Sequence, residues 1–225
     1  MTSIAYRSSK RSGYDAIDPS NLYLYYPFNS STVNGNNVGN MATGSIVYDA
    51  TLVSPTTIVN DKMTTSSSGY YGTIINKVIP CSTSTGVSVS LWFNVSSFPT
   101  NTYYFLFTIE DAKGYVGGGK RIFYSLDPSR KITVNGQLDT PFSITPNKNY
   151  HLVVTITPEN VGKMYLNNIL VASGTISYPS FINESGYNCI GRDPTVNPGI
   201  VGTIDEFRLY NRILTASEVN ILSHP

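Results

Sequence analysis

The sequence predicts an all-β fold: a two-sheet antiparallel jelly-roll sandwich closed by a short C-terminal helix. Three observations predict it. Short stretches with period-two apolar patterning recur along the chain, separated by clusters of Asn, Gly, Ser, Thr and Pro, which is the punctuation of strands and turns. Tyrosine is abundant, at 17 of 225 residues, and aromatic and β-branched side chains favour pleated, half-buried surfaces. A single helix signal stands at the end of the chain, directly after a long strand. Hydrophobic residues make up 40% of the chain, ample for one core, and β-sandwiches commonly reach this length as a single unit.

The elements follow in order. Residues 1–20 read as a flexible arm ending at Asp18-Pro19, where proline disfavours helix for the residue before it. Residues 21–225 then form one domain. Asn21 to Phe28 reads as the first strand. Residues 29–45 hold few apolar side chains and read as a long loop. Short strands are expected around Ile46 to Leu52 and Gly72 to Ile79. Val87, Val89 and Leu91 alternate on one face of the next strand, which carries Trp92 and Phe93. Tyr103 to Ile109 is a nearly continuous apolar run. Ile122 to Leu126, Lys131 to Val134 and Tyr150 to Thr157 follow as strands. Lys163 to Leu166 and Ile169 to Ala172 flank Asn167-Asn168, a pair suited to a two-residue hairpin because Asn tolerates positive φ.

The clearest signal comes last. In Gly202 to Tyr210, period two puts Asp205, Phe207 and Leu209 on one face, and Ile204, Glu206, Arg208 and Tyr210 on the other. Thr215 and Glu218 then stand three apart, ahead of Val219, Ile221 and Leu222. This is a capping box, in which hydroxyl and carboxylate each satisfy an orphan backbone N–H at a helix start.

This closing segment resembles the signature of laminin G-like domains in the concanavalin A-like lectin/glucanase superfamily. Further pieces match in order over residues 20–223. Asn21 to Phe28 resembles the family's opening strand, with Asn29 where an acid often sits. Val87 to Phe93 resembles its Trp-bearing strand. Tyr150-His151-Leu152-Val153-Val154-Thr155 resembles its W-H-x-V-x-x-T strand, with Tyr150 in place of Trp. Lys163 to Ala172 resembles its L-Y-x-D/N-G hairpin, with Asn168 in place of Gly. The resemblance implies the fold. It leaves function open between lectin, glycanase and scaffold, since sites are grafted on folds.

Charged residues are only 13% of the chain, against about 25% in a typical soluble domain. Ser, Thr, Asn and Tyr supply the polarity instead. Such a surface suits sugar contact or packing within a large assembly, and strand and turn preferences alone also produce it. The net charge of +1 gives no electrostatic reason to expect nucleic acid. Arg7, Lys10 and Arg11 in the arm are the local exception. No run approaches the roughly 18 to 20 apolar residues of a membrane helix. The opening lacks an apolar signal core, so with Met1 as the native start the usual export route is not expected. Cys81 and Cys189 are the only cysteines. Their apolar neighbours favour buried thiols over a bridge.

Candidate chemistry is sparse. Glycanases of this resemblance carry carboxylates at alternate positions of one strand, close enough for paired acid and nucleophile work. No such triplet is present. Glu110-Asp111 and Asp205-Glu206 are adjacent pairs, expected on opposite faces of their strands. His151 is expected to be a buried structural group, and His224 sits in the tail. No Cys/His spacing suggests a zinc site. Calcium at the sandwich rim is implied by the resemblance, with Asp49 and Asp205 as candidate ligands. For sugar recognition the candidates are Tyr115, in the Gly-rich stretch 111–121, with Tyr103, Tyr104, Asp111 and Arg121 around it.

These readings converge on a non-enzymatic carbohydrate-binding or adhesive module whose partner is a glycan, or a neighbouring subunit in a larger assembly. A structural component of a virion or other shell is the alternative, and a glycoside hydrolase the third. Nucleic acid and membrane insertion are not expected. A virion or a cell surface is the setting that fits either leading reading.

Overall fold

The computed structural model describes residues 17–42, 48–66, 72–75, 79, 85–98, 101–110, 121–176, 188–193 and 198–224, with backbone alone at 110 and 121–123. Among these residues it forms 17 strands and one helix. The first seven strands are β1 (Leu22–Tyr26), β2 (Val33–Asn34), β3 (Asn37–Val38), β4 (Ala50–Val53), β5 (Thr57–Val59), β6 (Lys62–Thr65) and β7 (Gly72–Ile75). The middle of the chain supplies β8 (Val87–Ser97), β9 (Tyr104–Glu110), β10 (Arg121–Leu126), β11 (Ile132–Val134) and β12 (Leu138–Asp139). Then come β13 (Asn149–Ile156), β14 (Val161–Leu166), β15 (Ile169–Thr175), β16 (Asn188–Ile190), β17 (Val201–Tyr210) and the helix α1 (Ala216–Leu222).

Two antiparallel sheets result, as the sequence predicts. The first runs β15-β14-β13-β8-β17-β6-β5, with β1 also pairing β17. The second runs β12-β11-β10-β9-β16-β7-β4-β3-β2. Chain-distant strands lie side by side: β17 pairs β1, β6 and β8.

The core fills the space between the sheets, as inner faces of a sandwich must. Leu24, Tyr26, Leu91, Phe93 and Phe207 come from the first sheet, and Phe107, Tyr124 and Ile190 from the second. Phe207 joins them: its ring centroid lies 4.6 Å from Phe107 and 6.2 Å from Tyr26, within the range in which offset and tilted aromatic pairs attract.

The outer face of the first sheet is partly covered. Val219 and Leu222 of α1 pack with Val153, Tyr210, Leu214 and Ile17. The predicted capping box is present, with Glu218 N–H donating to Thr215 Oγ1 and Thr215 N–H to Glu218 Oε2. Arg212 ties the same carboxylate at 2.6 Å. Packing starts at Ile17, inside the stretch expected as an arm. Arg7, Lys10 and Arg11 lie outside the described residues.

The hairpin at Asn167-Asn168 has both residues at positive φ, 49° and 66°, as the tight turn requires. Three expectations are corrected. The loop read over 29–45 contains the β2–β3 hairpin, turning at Gly35 with φ 61°. The β5–β6 hairpin lies where no strand was expected, turning at Asn60-Asp61, again both at positive φ. The two-residue β12 was also unexpected. Each missed strand is too short for a period to register. Cys189 is buried in β16, and Cys81 lies outside the described residues. No described helix is long and apolar enough to cross a membrane.

Candidate functional site

The alternation predicted for β17 breaks in the middle. Asp205 pairs with Trp92 and Arg208 with Ser90, so the β17 stretch between them bulges against a single residue of β8. Glu206 sits in this bulge at φ 53°, a left-handed conformation that costs a non-glycine residue free energy. The bulge resets which side chains face in. Ile204, Phe207 and Leu209 all point into the core. Asp205 is therefore not on the core face, as period two predicted. It stands on the outer face, half-buried, opposite Trp92, and it accepts the Glu206 N–H at 2.8 Å. Asp205 and Glu206 consequently border one recess instead of opposite faces.

A buried polar group holds the bulge in place. Arg208 donates to Glu206 Oε2 at 2.6 Å and to the Glu206 carbonyl at 3.3 Å. Tyr25 Oη donates to the same carboxylate oxygen at 3.1 Å. The guanidinium stacks over the Tyr25 ring at 4.1 Å, a cation–π geometry. The ion pair is almost fully buried, where a partner is needed to offset the lost hydration.

Beside it lies a recess of about 210 Å³, lined by Lys62, Trp92, Phe93, Asn149, Thr203, Asp205 and Glu206. Four neighbouring strands, β6, β8, β13 and β17, supply these residues. Trp92 is half-buried and packs on His151, centroids 5.0 Å apart. Its Nε1 is buried without a hydrogen-bond partner among the described residues. His151 Nε2 pairs with Ser90 Oγ at 2.9 Å. Burial, and secondarily the Arg208 charge, pushes the His151 pKa down to about 3, so the ring stays neutral at physiological pH. At the rim, Asn94 Nδ2 donates to Asn149 Oδ1 at 2.9 Å. Gly202 lets β17 approach Asn94 closely: φ is 153°, and a Cβ there would overlap the Asn94 carbonyl oxygen.

The recess thus combines an indole wall, the Asp205 and Glu206 carboxylates, an ammonium, an amide and a hydroxyl. Such a set can donate to and accept from a polyhydroxylated ligand while covering one apolar side of it.

The residues expected to bind sugar do not gather here. Tyr115 and Asp111 lie outside the described residues, as does the side chain of Arg121, whose backbone opens β10. Tyr103 is exposed at the entrance to β9 in the other sheet. Tyr104 is corrected from ligand stacker to core residue: it is 1% exposed and meets Phe98 edge-on at 5.8 Å. The candidate calcium ligands also stand apart. Asp49 directly precedes β4 of the second sheet and accepts the Asn40 N–H, while Asp205 is on the first. Among the described residues no three His, Cys, Asp or Glu side chains come close enough to hold a metal ion.

Sequence reasoning missed Lys62, Trp92, Asn149 and Thr203 as site residues. One signal pointed to Trp92. It is the chain's single tryptophan, and it occupies an outward phase between core residues Leu91 and Phe93.

A family model described as the concanavalin A-like lectin/glucanases superfamily matches residues 65–220. No curated protein matches the sequence. Among solved structures, the sialidase of Trypanosoma rangeli, in complex with sialic acid, is similar over 90% of this chain and 32% of its own, at 17% identity and a TM-score of 0.68. The chain thus spans about a third of the sialidase chains it matches. Domain 4 of AbnA, a GH43 extracellular arabinanase from Geobacillus stearothermophilus in complex with arabinotriose, is similar over 90% of this chain and 98% of its own, at 23% identity and a TM-score of 0.60. The binding domain of botulinum neurotoxin serotype D is similar over 91% and 52%, at 15% identity and a TM-score of 0.67. At these identities the likeness is one of fold.

Proposed function

Because the chain belongs to the concanavalin A-like lectin/glucanase superfamily, we propose that it is a non-enzymatic carbohydrate-binding module whose ligand seats in the Trp92 recess. The observation that carries this reading is the recess itself: the lone indole flanked by Asp205, Lys62, Asn149 and Thr203. An aromatic wall with a few convergent polar groups is the usual composition of a small-ligand site. The AbnA domain, solved with arabinotriose, supplies a precedent for sugar binding on this fold at matching length.

The arrangement favours binding over hydrolysis. Most glycoside hydrolases flank the scissile bond with two carboxyl groups. Asp205 and Glu206 are consecutive and approach from one wall. Glu206 Oε2 is already engaged by Arg208 and Tyr25.

A glycan array followed by calorimetry tests the proposal. Wild type is expected to bind at least one glycan class without releasing reducing sugar. Trp92→Ala and Asn149→Ala are expected to weaken that binding about tenfold or more for the indole, because anchoring aromatics dominate such contacts, and less for the exposed amide. Thermal melting of each variant separates lost binding from lost folding. A blank array, turnover of a bound glycan, or full affinity in folded Trp92→Ala would each refute the proposal.

A further inference from the structure

We infer that the ligand is an extended oligosaccharide lying across the strands of the first sheet, one ring in the Trp92 recess and its neighbours on a row of threonine and asparagine side chains that leads out of it; this rests on the reading of the chain as a carbohydrate binder. Size is the first argument. At about 210 Å³ the recess is smaller than the roughly 300 to 1,000 Å³ that enclose a drug-sized ligand. One ring fits against Trp92, and the rest of a glycan must lie outside.

Strand register is the second. Asn149 pairs with Asn94, Asn94 with Thr203, Thr203 with Thr64 and Thr64 with Thr57. These residues form one line across β13, β8, β17, β6 and β5, which are consecutive in the sheet. The line is on the outer face. Asn149 and Thr203 themselves border the recess, and Thr64 stands two residues along β6 from Lys62, which also borders it. Ile58, next to Thr57, packs on the core instead. With strands about 4.8 Å apart, the line runs about 19 Å from β13 to β5, too long for a single ring to cover.

Accessible hydrogen-bonding chemistry is the third. Thr57 and Asn149 are exposed, and Asn94, Thr203 and Thr64 half-buried. The helix α1 covers a different part of this face, over Val153 and Tyr210. The Asn94–Asn149 bond at 2.9 Å leaves Asn94 Oδ1 to accept and Asn149 Nδ2 to donate. Thr64 Oγ1 donates to the Lys62 carbonyl at 3.3 Å and can still accept. The Thr57 and Thr203 hydroxyls have no partner among the described residues. The row thus offers donors and acceptors strand after strand, and a sugar chain presents hydroxyls that do both along its length.

The test is calorimetry of the full chain against linear oligosaccharides of increasing length, from the single sugar to the hexasaccharide, prepared from the strongest glycan-array hit. Affinity is expected to rise about fivefold for each added residue that reaches a new side chain of the row, the weight of one net hydrogen bond, and to level off once the row is filled. Thr57→Val and Thr64→Val each remove a hydroxyl and keep a β-branched strand residue. Each variant is expected to stay folded by melting and to bind the hexasaccharide about fivefold more weakly, with a smaller change for the shortest member that binds. An affinity that does not grow with length overturns the inference and leaves the binding function standing. So does a gain with length that both folded valine variants retain in full. A blank array removes the inference together with the function it rests on.

Discussion

His151 is a buried base that stays neutral, and this makes stability depend on pH. Its pKa falls from an ordinary 6.5 to about 3 in the fold. The unfolded chain therefore binds the extra proton between those values, so stability is full above about pH 6.5 and declines as pH falls through it. Between pH 7.5 and 5.5, above the range where carboxylates titrate, the loss is expected to be about 1.4 kcal/mol. Denaturant midpoints for wild type and His151→Gln at the two pH values check it. The variant is expected to lose most of this dependence, and an unchanged slope would contradict the assignment. The Glu206–Arg208 pair belongs to the same scale. Arg208→Met leaves the Glu206 carboxylate buried without its cation, and is expected to cost about 3 to 5 kcal/mol in urea denaturation. A cost below about 1 kcal/mol would show that the bulge does not depend on the pair.

Among the elements, β17 carries core residues at the centre of the first sheet and α1 covers part of that sheet's outer face. Phe207 bridges the sheets, so Phe207→Ala is expected to cost about 3 to 5 kcal/mol, and Leu209→Ala about 2 to 5. Thr215→Ala removes the cap of a seven-residue helix and is expected to cost about 1 kcal/mol. Equilibrium unfolding measures all three; an effect of the cap variant as large as that of Phe207→Ala would contradict this ranking. The core role of Phe207 and Leu209 and the capping box were legible in the sequence, because local spacing dictates them. The side of the strand that Asp205 occupies was not. Period two holds only while the ladder is regular, and the left-handed residue at the bulge is Glu206, where no glycine marks the break. The β5–β6 hairpin was legible in part: Asn60-Asp61 is a turn pair, but the three- and four-residue strands beside it are too short to show alternation.

For the whole molecule, the sandwich was readable because a dozen or so weak strand and turn signals agree on one fold. The candidate site was not readable in the same way. Lys62, Trp92, Asn149 and Asp205 come from four strands spread over most of the chain, and only the pairing of β8 with β13 and β17, and of β17 with β6, brings them together. Local composition points instead to the tyrosines around a glycine-rich stretch. The single tryptophan now offers the most direct test. Its indole N–H gives one resolved NMR resonance, and Nε1 has no hydrogen-bond partner among the described residues. Titrating the labelled protein with a glycan bound on the array is predicted to shift that resonance saturably, along with the Asn149 and Asn94 side-chain amides. Saturable binding that leaves the indole resonance in place would contradict the account.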